Sequence, residues 1–183
     1  MRVLTPEQAE TFKIQHGWTD AFDHLAPETS RTQFSTDVGQ RCVWANALTN
    51  HLIATPDCIA ALEISDWAVW PSSQNMDLIY SYRELLGEKR PLIEANFHVF
   101  KAHEACQLRN ILHISLISLF DVAGASTGTD FSFYASHDEY LEVLWYPEAD
   151  WVETLSWMFV DDDADTRLAA DGTQIHIRSQ TKS

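Results

Sequence analysis

Between His103 and Leu119 the apolar residues Leu108, Ile111, Leu112, Leu116 and Leu119, with Ser115 among them, recur at three- and four-residue steps. That spacing puts them on one stripe of an α-helix. Gln107, Arg109 and Asn110 fall on the opposite face of its first half, and toward the end Ile114, Ile117 and Ser118 widen the stripe almost to a full circle. A helix apolar over so much of its circumference has to be covered on several sides. This segment is therefore predicted to be the central helix, and the rest of the chain must be able to cover it.

The residues after Leu119 supply that cover. Gly124 to Asp130 holds two glycines among small polar residues and reads as a loop. Phe131-Ser132-Phe133-Tyr134-Ala135 alternates as a half-buried strand does, and a second strand is expected from Leu141 to Tyr146, with Leu141, Val143 and Trp145 on one face. Between them, Ser136 and Glu139 have capping-box spacing, which favours one helical turn at the corner.

Elsewhere the pattern alternates between helices and short strands. Thr5-Pro6-Glu7-Gln8 starts a helix with a capping threonine, proline at the first helical position and glutamine three residues after the cap, and Gly17 ends it. Ala26 to Gly39 is polar and reads as a long irregular connection. A second helix is predicted over 39–53, stopping before Pro56. In Ile59 to Trp70 the latter half reads as a strand stopped by Pro71. A third helix runs from Asp77 to Leu86, with Leu78, Tyr82 and Leu85 inward and Gly87 as its stop. Phe97 to Phe100 is a short strand, Ala149 to Phe159 a helix with Trp151, Leu155 and Met158 on one stripe, and the tail from Thr173 gives at most one edge strand. The 183 residues suit one domain. The expected class is α+β, a single domain over residues 1–183 with helices on one face of a mostly antiparallel sheet.

Cys42, Cys58 and Cys106 are odd in number, far apart and set among apolar residues, so buried reduced thiols are expected and no CxxC pair suggests a zinc ribbon. No segment reaches the roughly 18 apolar residues of a membrane span. The opening Met-Arg-Val-Leu runs straight into polar residues, unlike a signal peptide. A cytoplasmic location is the expectation.

Charge narrows the partners. The chain has 27 acidic and 12 basic side chains, a net charge of −15, and residues 121–183 hold 13 of the acidic and 3 of the basic ones. Such a field opposes nucleic acid and anionic membranes, which are bound through basic patches, and attracts a basic protein. Solubility alone also explains an acidic chain. The sharper reading is an acidic surface at Asp161, Asp162, Asp163 and Asp165, with Trp151 or Trp157 as aromatic anchors and Asp138 and Glu139 contributing from the corner. For any single one of these tryptophans, ordinary core packing is the commoner role.

Catalytic patterns are sparse. His103, Cys106, His98 and His113 do not make one metal site, since His103 and His113 are about 15 Å apart along a helix. His137-Asp138-Glu139 offers an imidazole with a carboxylate to orient it, although adjacent side chains seldom face each other and a structural corner explains the same residues. Asp121 and Asp138 are carboxylates that could meet in space. No Walker or H-E-x-x-H pattern occurs. The letters G-x-S-x-G do occur at Gly124-Ala125-Ser126-Thr127-Gly128, in the stretch read as a loop and with no helix pattern after it to make a nucleophile elbow, and no cofactor or metal is implied.

The stretch from Glu104 to Val143, an Ile/Leu-rich helix, then Leu-Phe-Asp, then an aromatic strand closing in Ser-His-Asp-Glu-Tyr-Leu-Glu-Val, resembles the C-terminal half of small acidic immunity proteins of bacterial polymorphic toxin and contact-dependent competition systems. That resemblance implies a stoichiometric inhibitor of a cognate basic toxin, with no catalytic residues. The other readings are a small hydrolase using His137 with a nearby carboxylate, and an adaptor or chaperone for a secreted effector.

Overall fold

A computed structural model describes residues 1–18, 29–33, 38–65, 67, 76–127, 132–138, 140–144, 166–168 and 174–176. Its elements are β1 (Arg2–Leu4), α1 (Pro6–His16), β2 (Thr29–Gln33), α2 (Val38–Leu52), β3 (Ile59–Ser65), α3 (Met76–Leu85), β4 (Phe97–Lys101), α4 (Ala105–Ile117), β5 (Asp121–Ser126), β6 (Ser132–Ala135), β7 (Tyr140–Leu144), β8 (Thr166–Leu168) and β9 (Gln174–His176). Seven strands form one antiparallel sheet in the order β1-β4-β3-β5-β6-β7-β2, and β8 pairs with β9 separately. The fold is α+β.

Period-two alternation decides which helix each strand residue meets. Ala60, Leu62 and Ile64 of β3, with Phe100, Val122, Phe133 and Leu141, join Trp44, Leu48 and Leu52 of α2, Ile79 of α3 and Leu108, Ile111 and Leu112 of α4 in the main core. Packing on one face thus holds for α2, α3 and α4, and α4 is central as its apolar stripe requires. The alternate residues Ala61, Phe97, Val99 and Ala125 meet Phe12, Ala9 and Trp18, so α1 covers the opposite face. Its anchor there is Lys13, which bonds Glu63 of β3 at 2.7 Å and Glu10 at 2.9 Å. Burial pulls the Lys13 pKa down, but the two carboxylates outweigh it and the ammonium ends above its ordinary value.

Local chemistry accounts for the helix ends. Thr5 and Gln8 form the expected capping box and Gly17, at φ 67°, closes α1 in the left-handed region. The end of α4 is less ordinary. Its Leu116 carbonyl accepts from Nη1 of buried Arg41 at 3.0 Å, a cation at the negative end of the helix. Leu119 then takes φ 55°, which strains a non-glycine residue, while Phe120 N–H donates back to the Ser115 carbonyl at 3.0 Å.

Several expectations are corrected. Gly124 is not in a loop but in the middle of β5, flanked by β3 and β6. A Cβ there would lie 2.3 Å from Cε1 of Phe133, so the missing side chain is the space that the ring fills. Within 59–70 the first half, Ile59–Ser65, is a strand that pairs on both sides with β4 and β5 and was not expected there, and most of the latter half, where a strand was expected, lies outside the described residues. The connection after Ala26 contains β2, which pairs with β7. On α3 the buried residues are Ile79 and Arg83, while Leu78 and Leu85 face solvent, Leu85 at 78% exposure. The helix is rotated because backbone carbonyls of Arg90 and Ala95 draw Arg83 inward. All three cysteines are free thiols, yet only Cys58 is buried and Cys106 is exposed. The tail from Thr173 holds one strand among the described residues, β9, as expected, and its partner β8 at Thr166–Leu168 is not among the elements expected from the sequence. The helix expected at 149–159 lies outside the described residues.

Candidate functional site

The hairpin register of β5 and β6 builds the site. Val122 pairs with Ala135, which leaves Asp121, the first residue of β5, level with the corner that starts at Ser136. The short reversal through Leu119 delivers Asp121 to this point directly from the end of α4. Asp121 is buried, and its carboxylate gathers three donors. Oδ2 accepts from the Tyr134 hydroxyl; Oδ1 accepts from the backbone N–H of His137 at 2.6 Å and lies 2.7 Å from His137 Nδ1. Because the carboxylate can only accept there, Nδ1 carries the proton.

That bond fixes the imidazole and sets Nε2 3.5 Å from Oδ1 of Asp138, whose side chain is 71% exposed against 30% for His137. Ser136 is buried, and its Oγ accepts from the Asp138 N–H at 3.1 Å, two residues on, which tightens the turn. His137 therefore sits between a buried carboxylate that orients it and an exposed one at ion-pair range. The arrangement can do two things. It clamps the β6–β7 corner so that Asp138 is presented from a rigid base, and it holds an imidazole in the tautomer a general base needs.

Both carboxylates named from the sequence, Asp121 and Asp138, do reach one imidazole. Tyr134 is not among the sequence candidates, although strand alternation places it on the same face as Asp121. Of the residues expected to bind a partner, Asp138 is at this corner, whereas Glu139, Trp151, Trp157, Asp161, Asp162, Asp163 and Asp165 lie outside the described residues. His98 belongs to a different place. It is fully buried in β4, where Nδ1–H donates to the Asn96 carbonyl at 3.0 Å and Nε2 accepts from Nε of Arg83 at 3.2 Å. Arg83 also donates to the carbonyls of Arg90 at 2.9 Å and Ala95 at 2.6 Å. Burial first, and the Arg83 charge second, push the His98 pKa down to about 3. His103 lies in the 3-10 turn before α4, with Cys106 and His113 along the helix itself, and among the described residues no three His, Cys, Asp or Glu side chains are grouped to hold a metal ion.

The chain matches no family model, no curated protein and no solved structure. Among the described residues no helix is long and apolar enough to cross a membrane.

Proposed function

We propose that this chain is a stoichiometric binding protein of the immunity type, which neutralises a cognate basic toxin in the cytoplasm by covering its working surface. The observation that carries this reading is the charge: 13 acidic against 3 basic side chains after residue 120. A field of that sign speeds encounter with a cationic protein and disfavours anionic partners. The clamped corner supports it from the geometry, since Asp138 projects into solvent from a base held by three bonds to Asp121. In this reading Asp161, Asp162, Asp163 and Asp165 meet the toxin with Trp151 or Trp157 as anchors, and Asp138 and Glu139 extend the acidic surface.

The test is the quadruple reversal of Asp161, Asp162, Asp163 and Asp165 to Lys. Association with the purified partner should slow by about tenfold or more at low salt, with the difference shrinking as salt rises. An unchanged association rate sinks the assignment of that surface.

A second reading rests on the 2.7 Å approach of His137 Nδ1 to Asp121. There the chain is a small hydrolase in which Asp121 orients His137 and Nε2 takes a proton from water. His137→Gln separates the two. An inhibitor keeps its protection of toxin-exposed cells after this change, whereas a hydrolase loses it while the folded protein still accumulates.

A further inference from the structure

One groove gathers arginines in an otherwise acidic chain. It is an open groove of about 890 Å³ between α1 and the edge strand β1, lined by Arg2, Arg90, Phe12, Gln15, Leu4 and Glu7 among others. Its lining thus holds two guanidiniums and one carboxylate in a protein with 27 acidic and 12 basic residues, and since Arg90 is also paired with Glu88 behind the groove, Arg2 is the cation that no carboxylate pairs with among the described residues. The volume is within the roughly 300–1,000 Å³ of small-ligand sites.

Its cations are placed in advance. Glu88 accepts from Arg90 Nε at 2.9 Å and from Nη2 at 2.5 Å, Nη2 also donates to the Val3 carbonyl at 3.0 Å, and the Arg90 carbonyl is held by buried Arg83. Nη1 of Arg90 takes no part in these bonds. The Arg2 guanidinium rests 5.3 Å from the centre of the Phe12 ring, and no carboxylate pairs with it among the described residues. Donors fixed before binding lose little freedom on binding, and a guanidinium matches a planar oxyanion.

We propose that this groove binds a carboxylate-bearing ligand, with Arg2 and Nη1 of Arg90 as donors and Phe12 and Leu4 as the apolar wall. The ligand is either a free small dicarboxylate or an acidic side chain of an extended peptide. A carboxylate fits better than a phosphate dianion because Glu7 lines the same groove, and a second negative charge on the binding group doubles that repulsion. The acidity elsewhere does not forbid binding, since charges beyond about 8 Å are largely screened at physiological ionic strength.

Calorimetric titration of the full chain with glutarate, with a capped Glu-Leu-Glu peptide and with inorganic phosphate, at physiological ionic strength, tests this. At least one carboxylate probe should saturate, with NMR amide shifts at Thr11 and Gln15, and the tighter of the two identifies the source. Arg2→Gln should weaken it about tenfold, and Gln15→Glu, which adds a carboxylate at an exposed helix position, should abolish it with the fold intact by circular dichroism. Neither carboxylate saturating at millimolar concentration, phosphate alone binding, or Arg2→Gln without effect would each overturn the site. Toxin binding is a separate readout: Arg2→Gln should leave it unchanged, so the two proposals fail independently.

Discussion

Arg83 is a guanidinium with no exposed surface, held by two backbone carbonyls and a neutral imidazole. For His98 to accept from Arg83 it must stay unprotonated, and burial enforces this by holding its pKa near 3 in the fold, against about 6.5 in an unfolded chain. Between those values the unfolded chain takes up a proton that the fold refuses, so stability is complete above about pH 6.5 and falls progressively as pH drops toward 3. Glu88, held down to about 2 chiefly by its bonds to Arg90, adds a second loss that starts below its ordinary value of 4.5. Urea unfolding followed across pH 3 to 7 should therefore show stability declining throughout. His98→Gln, which keeps an acceptor for Arg83, should flatten the part between about pH 6.5 and 4.5, and Glu88→Gln only the part below it. An identical slope in His98→Gln and the parent would show that His98 does not carry the upper limb.

At the scale of elements, β5 and β6 are locked by a hole and the ring that fills it. Gly124→Ala would push a methyl into Phe133, which is fully buried and has no room to withdraw. Overpacking of this kind costs about 1–3 kcal/mol. Chemical denaturation should show that loss in Gly124→Ala and partial recovery in Gly124→Ala combined with Phe133→Leu, and additive effects would disprove the coupling. This pair also shows how far the sequence could be read. The ends of α1 and α3 were legible because Thr5, Gln8, Gly17 and Gly87 act on their own backbone neighbours. The α4 stripe was legible because its spacing is local too. β5 was not, because Gly124, Ala123 and Ala125 carry no strand propensity and become a central strand only when β3 and β6 lie on both sides. β2 was hidden for the same reason: Thr-Ser-Arg-Thr-Gln is polar and is a strand only by pairing with β7. The candidate site divides likewise. His137 and Asp138 stand out in the sequence, but the clamp depends on the register that brings Asp121 and Tyr134 to them, and the inward turn of Arg83 follows from carbonyls beyond its own helix.

For the whole molecule, a net charge of −15 is a self-repulsion that the compact state must carry. Moderate salt should raise the melting temperature by a few degrees as that repulsion is screened, and calorimetry in increasing NaCl checks it. A fall would mean that attractive pairs such as Lys13 with Glu63 outweigh the repulsion.

The order of strands also sets a timetable. Thr29 faces Leu144 across the far edge of the sheet, so β2 is made long before the strand it joins. At about 5–20 residues per second, a ribosome leaves it waiting on the order of ten seconds. Its polar composition suits that delay, since a greasy segment idling so long would invite clumping with neighbouring nascent chains. A single apolar replacement is enough to expose the effect: Thr32→Val should increase insoluble product during translation without lowering the melting temperature of the protein that escapes.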